Sequence, residues 1–196
     1  MLGRVPCGLG PGGFWGRLCA VAPAGGRTAA AVVLVAVLAA VVFLVRPGVP
    51  AGLVWDEGYY ATSTQRYLDG RAQFGTHPPL GLMLLAAGEA ALRPNASIDT
   101  SRVGDTKHIA GEALPAGYSP VGMRLASGSA AAMGAVVLLM LVLRLAGSLP
   151  AALLVANLYL FDNALVAHLR AAHLDAFQLL FSLLALWAWA SAVRRA

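Results

Sequence analysis

Uncharged apolar runs alternate along this chain with short clusters of charge. The first run, Thr28–Val45, is 18 residues long and is bounded by Arg27 and Arg46. Three more follow at Leu125–Leu143, Leu145–Phe161 and Ala176–Val193, each closed at both ends by an ionisable residue. A helix rises about 1.5 Å per residue and a bilayer core is about 30 Å thick, so each run is near spanning length. The pattern predicts four transmembrane helices. Helix punctuation agrees: Ser119-Pro120 reads as an N-cap followed by proline at the first helical position, and Gly147-Ser148 closes one helix and caps the next ahead of Pro150. A cleaved signal peptide has a shorter apolar region of about 7–15 residues. The first run is longer and ends in Val45-Arg46-Pro47, so it reads as a retained anchor.

A long segment, 46–119, separates the first two spans. Within it, Gly58–Gly70 places Tyr60, Thr64, Tyr67 and Leu68 at helical spacing. The stretch Leu80–Leu92, broken by Glu89, is too short to span and reads as an interfacial or re-entrant amphipathic helix. Residues 93–119 hold Pro94, Gly104, Gly111, Pro115 and Gly117 and read as an exposed loop, with a sequon by pattern at Asn95-Ala96-Ser97. The expected organisation is a cytoplasmic tail (1–27), transmembrane helix 1 (28–45), an external loop with juxtamembrane helices (46–119) and transmembrane helices 2–4 (120–196). The fold class is an all-α integral membrane protein, with four transmembrane helices and a large external first loop carrying short amphipathic helices.

Composition narrows the function classes. The chain is 59% hydrophobic and 12% charged, and its mean hydropathy is +0.71. An ordinary soluble domain is about 45–50% apolar and about 25% charged, and disorder requires low hydrophobicity, so both classes are excluded. The net charge of +5 does not gather into a groove-like patch, so no nucleic-acid partner is expected. Cys7 and Cys19 lie in the tail with no metal-type spacing. Gly8-Leu9-Gly10-Pro11-Gly12-Gly13 formally matches G-x-G-x-x-G, but Pro11 interrupts it and no strand precedes it, so it reads as tail.

Charge distribution sets the orientation. Four spans put the tail, the 144–148 turn and the C-terminus on one side, with six arginines and no acid. The other side holds eight Lys/Arg, all nine Asp/Glu and all four His. The positive-inside rule makes the first side cytoplasmic, because loops longer than about 60 residues escape it. Every group suited to acid–base work then lies at the outer face, which in a bacterium is the outer side of the plasma membrane.

Four clusters carry candidate chemistry. Asp56-Glu57 opens the helix beginning near Gly58. Carboxylates there either complement the helix dipole or serve as a general base. His77 precedes Pro78-Pro79, a stiff helix entry that would hold an imidazole in place, or is simply an exposed helix start. Arg124, near the start of the second span, either snorkels to headgroups or pairs with a lipid-linked phosphate. Asp162, Asn163, His168, Arg170, His173 and Asp175 crowd the junction of the last two spans, where charges tend to be paired or functional. An Arg170–Asp175 ion pair stapling that turn is the plain alternative to a role in the site. No Asp-x-Asp motif or nucleotide cradle occurs, and no ligand cluster suggests a metal.

Trp55-Asp56-Glu57, His77-Pro78-Pro79-Leu80, Met123-Arg124-Leu125 and Phe161-Asp162-Asn163-Ala164-Leu165-Val166, with Arg170 and Leu174-Asp175 following, resemble the protein O-mannosyltransferase family. These are multi-span glycosyltransferases of the C superfamily, and the ordered set covers about residues 50–195. The resemblance implies that Asp56, with Glu57 beside it, is the catalytic base. It implies that His77, Arg124, Asn163, Arg170 and Asp175 bind substrate. It also implies a polyprenyl-phosphate mannose donor and a Ser or Thr hydroxyl acceptor on an exported protein, with no cofactor or metal required. Possible homo- or hetero-oligomers stay open. The family often has an acid two residues before His-Pro-Pro, where this chain has Gly75. The relatives that pass aminoarabinose or arabinose to lipid or polysaccharide share the early Asp-Glu, usually with Lys before Pro-Pro. A non-catalytic membrane subunit is the reading from another class. Members of the family are several times longer, so the chain is expected to be the N-terminal part of such an enzyme, and residues 1–196 alone are expected not to transfer sugar.

Overall fold

The computed structural model describes residues 25–75 and 77–193. The tail calls on Cys7, Cys19 and the glycine-rich run, and the basic pair Arg194 and Arg195, lie outside the described residues. Seven helices and two 3₁₀ turns occur among those described, with no strand: α1 Gly26–Leu44, α2 Glu57–Leu68, α3 Pro79–Leu92, α4 Val121–Ala146, α5 Leu149–Phe161, α6 Asn163–Arg170 and α7 Asp175–Val193. The 3₁₀ turns are Val103–Asp105 and Gly111–Ala113. The architecture is all-α, as the hydrophobic pattern predicts.

Helices α1, α4 and α7 are each long and apolar enough to cross a membrane. Their outward faces carry Val33, Leu34, Val37, Met133, Leu186 and Trp189 exposed. So much contiguous apolar surface is unsuited to water and suited to lipid. The third expected span differs from the pattern. Its apolar run does not make one straight helix: α5 stops at Phe161, and α6 restarts at Asn163 with a bend of 62°. Asp162 causes the break, because its extended backbone ends α5 while its Oδ1 accepts from Leu165 N at 2.7 Å as the N-cap of α6. At 13 residues α5 is only about 20 Å long, so a crossing here uses both pieces.

The second span is longer than its uncharged run, because α4 takes both Arg124 and Arg144 inside the helix. It starts at Val121, one residue later than the Ser119-Pro120 punctuation implies, with Ser119 Oγ accepting from Val121 N. It ends as expected on Gly147 in the left-handed conformation (φ 64°), and Ser148 caps α5. Helix α4 is central and packs against α1, α3, α5, α6 and α7. Small residues make that possible: Ala130, Ala131 and Ala135 are buried along it, opposite Val35, Ala39 and Phe43 of α1. Two polar bonds tie it to its neighbours, Ser127 Oγ to Ala171 O at 2.7 Å and Tyr159 OH to Ala131 O at 3.0 Å.

The segment 93–119 is not the wholly exposed loop its composition predicts. Val103 and Ile109 are buried, and α2 holds the loop by backbone capture: Arg66 Nε donates to Gly104 O at 2.7 Å and Thr62 Oγ1 to Lys107 O at 2.9 Å. The close approach depends on Gly58, where a Cβ would fall 2.5 Å from Ile109 O. The sequon asparagine is also committed. Asn95 is buried, its Nδ2 donating to Glu89 Oε1 (2.7 Å) and Ser119 O (2.8 Å), its Oδ1 accepting from Ser119 N (2.8 Å). That amide nitrogen is not free to carry a glycan.

Two tests follow from the α3–α4 crossing. A Cβ on Gly88 would lie 2.5 Å from Gly122 O, a backbone atom that cannot step aside. Gly88→Ala is expected to destabilise by about 1–3 kcal/mol, the usual penalty of overpacking, read as a lower thermal midpoint in detergent. Beside it, burial pushes the Glu89 carboxyl above the usual range, partly offset by the Asn95 hydrogen bond, while Oε2 has no partner. A folded-state value raised above the unfolded one gives stability that is present in acid and lost as pH rises through it. Glu89→Gln is therefore expected to melt above the parent at pH 8, with the gap closing toward acid; an equal gap at every pH would contradict this.

Candidate functional site

Glu57 and Arg124 form a buried ion pair where α2 begins and α4 enters the bundle; their side chains are 0% and 2% exposed. Arg124 Nε donates to Glu57 Oε1 at 2.8 Å and Nη2 to Oε2 at 2.7 Å. The remaining guanidinium hydrogens go to Pro47 O (3.2 Å), Pro50 O (2.6 Å) and Gly52 O (2.6 Å). All five donors of the arginine are used. Glu57 is equally occupied, its oxygens also accepting from Ala172 N at 2.7 Å and Val54 N at 2.8 Å. One side-chain pair thus fastens four pieces of chain: the 47–54 connector, α2, α4 and the turn before α7.

This geometry revises two expectations. Arg124 does not snorkel, and it has no donor left for a phosphate. Glu57 has no lone pair or exposed surface with which to take a proton from a substrate. Its neighbour in sequence is in the opposite situation. Asp56 is exposed, and its side chain makes no cap bond and no other hydrogen bond among the described residues. It lines a cleft of about 610 Å³, in which it is the one carboxylate among the described residues, together with Tyr59, Tyr60, Ser63, His77 and Lys107.

The turn that separates the two acids is strained. Trp55 has φ 47°, left-handed and uncommon for so bulky a residue. Such a conformation costs about 1–3 kcal/mol and persists only when its surroundings impose it. Here Glu57 imposes it, closing the turn through its N–H to Val54 O (3.0 Å) and its carboxylate to Val54 N. The Trp55 ring sits beside His168 and His173, at centroid distances of 5.7 and 5.6 Å.

The other four expected residues have four different placements. His77 is exposed, lines the same cleft as Asp56, and stacks edge-on to Tyr60 at 6.1 Å. Arg170 makes no pair with Asp175. It caps the C-terminus of α1 instead, donating to Val42 O, to Val45 O at 2.7 Å and to Arg46 O at 3.3 Å, so that its charge meets the negative helix end. It also lines a more apolar groove of about 440 Å³ with Trp55, Pro50 and Arg124. Asp175 pairs with His168 at 2.9 Å. Asn163 is apart from all of these: it is exposed at the far end of α6, about 10 Å along the axis from Arg170, with no side-chain hydrogen bond among the described residues.

Tyr60 and Lys107 are additions that spacing did not single out, whereas His168, His173 and Asp175 belong to the charged cluster expected at the junction of the last two spans. Burial pushes the Tyr60 hydroxyl up, and the charges of Asp56 and Asp175 add to this. Burial pushes His173 down, helped by His168 and opposed by Glu57, Asp175 and Asp56. Lys107 arrives from the docked loop, about 50 residues from Asp56, and no local signal announces it.

A family model described as dolichyl-phosphate-mannose-protein mannosyltransferase matches residues 33–196. No curated protein matches the chain.

Removing one partner of a fully buried ion pair leaves the other charge unpaired, at a cost of about 3–5 kcal/mol. Arg124→Lys keeps the charge but has three donors in place of a five-donor fork. It is expected to lose most of the thermal stability of the detergent-solubilised protein. A midpoint unchanged by Arg124→Lys would contradict the pairing.

Proposed function

The chain belongs to the dolichyl-phosphate-mannose-protein mannosyltransferase family and is a multi-pass membrane protein, and from that premise we propose that it supplies the base, Asp56, of an enzyme that moves mannose from a polyprenyl-phosphate carrier to Ser or Thr hydroxyls of exported proteins. The observation that carries this reading is the contrast between adjacent acids: Glu57 is saturated and buried, and Asp56 is unbonded and open to a cleft. A hydroxyl becomes a competent nucleophile when a positioned carboxylate takes its proton. Its oxygen then bonds the anomeric carbon as the bond from that carbon to the phosphate oxygen breaks, and the lipid phosphate leaves with the electron pair. Attack opposite the leaving group inverts the anomeric centre.

The leaving group needs cationic stabilisation rather than a proton. Arg170 supports that role better than Arg124, because its Nε–H and one Nη1–H have no partner among the described residues, and the groove it lines is apolar enough for a lipid carrier. His77 and Lys107 flank Asp56 in the cleft and suit an acceptor peptide. The excess of arginine at the opposite end of the spans supports an external orientation for this face, with the N-terminus cytoplasmic.

Asp56→Asn keeps the size of the side chain and removes its basicity. Made in the complete enzyme in membranes of the native host, supplied with polyprenyl-phosphate mannose and a Ser/Thr peptide, it is expected to reduce transfer by about 10²–10⁴-fold, the usual worth of a general base, with the thermal midpoint unchanged. Transfer at the parental rate by a folded Asp56→Asn protein would remove Asp56 from the reaction.

A further inference from the structure

His168 at the end of α6, His173 in the following turn and Asp175 at the start of α7 bring one ligand atom each to within 4.8 Å of one another. His168 Nε2 lies 2.9 Å from Asp175 Oδ2, His173 Nδ1 lies 3.4 Å from His168 Nε2, and His173 Nδ1 lies 4.0 Å from Asp175 Oδ2. We propose that these three residues form a binding site for a divalent first-row cation of the zinc type.

The separations fit such an ion. Zinc bonds imidazole nitrogen and carboxylate oxygen at about 2.0–2.2 Å, which places tetrahedral ligands about 3.3–3.5 Å apart. The His–His separation already has that value. The His168–Asp175 contact must open by about half an ångström, and both side chains are substantially exposed, at 43% and 54%. Two imidazoles and one carboxylate are a borderline donor set that suits zinc, whereas magnesium and calcium select all-oxygen sites. Three protein ligands also leave a fourth position open.

Burial adds to this geometry. His173 is 3% exposed, and its Nδ1 has one contact, His168 Nε2 at 3.4 Å, a nitrogen that also faces Asp175 Oδ2 at 2.9 Å. A buried ring nitrogen so weakly served leaves room for a stronger partner. A cation at the centre of the three residues satisfies Nδ1, and the rings of Trp55 and Tyr60, 5.6 and 5.8 Å away, wall the site. The turn so clasped is the one whose Ala172 N–H bonds Glu57, so the ion would also brace the ion-pair junction.

The site stands or falls apart from sugar transfer, because its readout is the cation itself. The metal-stripped full chain in detergent is titrated with Zn²⁺ by calorimetry and with Co²⁺ by visible absorption. One equivalent is expected to bind, with the intense absorption of four-coordinate cobalt, and Zn²⁺ is expected to raise the thermal midpoint. His168→Gln and Asp175→Asn alter exposed side chains and are expected to weaken affinity by at least about 100-fold, beyond the loss seen for outer-shell partners, and to abolish the thermal shift. His108→Gln, at a histidine outside the cluster, is expected to change neither. If either variant fails to fold without metal, the other decides. No saturable binding by the parent, or binding retained in a folded variant, overturns the assignment.

Discussion

A carboxylate and a guanidinium with every bonding position filled hold this end of the molecule together. Taking two charges out of water costs several kcal/mol each, and attraction between them repays this only when the geometry is good and the remaining donors and acceptors are satisfied. Glu57 and Arg124 meet that condition through two bonds to each other and five to backbone groups. Position follows from that accounting. The pair draws the 47–54 connector over the entry of α4, sets the start of α2, and pulls in the turn at Ala172.

From this constraint the site acquires its shape. Because Glu57 closes the turn onto Val54, Trp55 is forced into the left-handed region and Asp56 is turned outward. Two acids adjacent in sequence thereby occupy opposite environments, one dry and saturated, the other wet and free. Arg66 and Thr62 then hold the docked loop by its carbonyls, which brings Lys107 to the same cleft as His77. Arg170 fastens the other side, joining α6 to the end of α1. Two arginines thus join separate elements by backbone oxygens, Arg66 the docked loop to α2 and Arg170 α6 to the end of α1.

Much of the fold was legible in the chain, because lipid leaves the backbone few choices and uncharged runs of spanning length announce themselves. Gly147 and Ser148 marked their turn correctly for the same local reason: a left-handed cap and a hydroxyl acceptor are short-range devices. The break at Asp162 was hidden, because a hydrophobic run does not show where a side chain will prefer to cap the next helix. The candidate residues were named more easily than their surroundings. Asp56, Glu57, His77 and Arg124 stand out by type, but the partner of Arg124 is 67 positions away and is found only once the helices pack. The alternative of an Arg170–Asp175 pair rested on sequence proximity, whereas packing gave Arg170 the carbonyls of α1 and gave Asp175 a histidine.

Glu57 and Arg124 act on each other, as the buried pair that fixes this end of the fold. A double-mutant cycle of Glu57→Gln and Arg124→Met, followed by unfolding of the detergent-solubilised protein, measures this directly. Strong non-additivity is expected, with a coupling at the upper end of the about 0.5–3 kcal/mol found for residues in contact. Additivity within about 0.5 kcal/mol would contradict it.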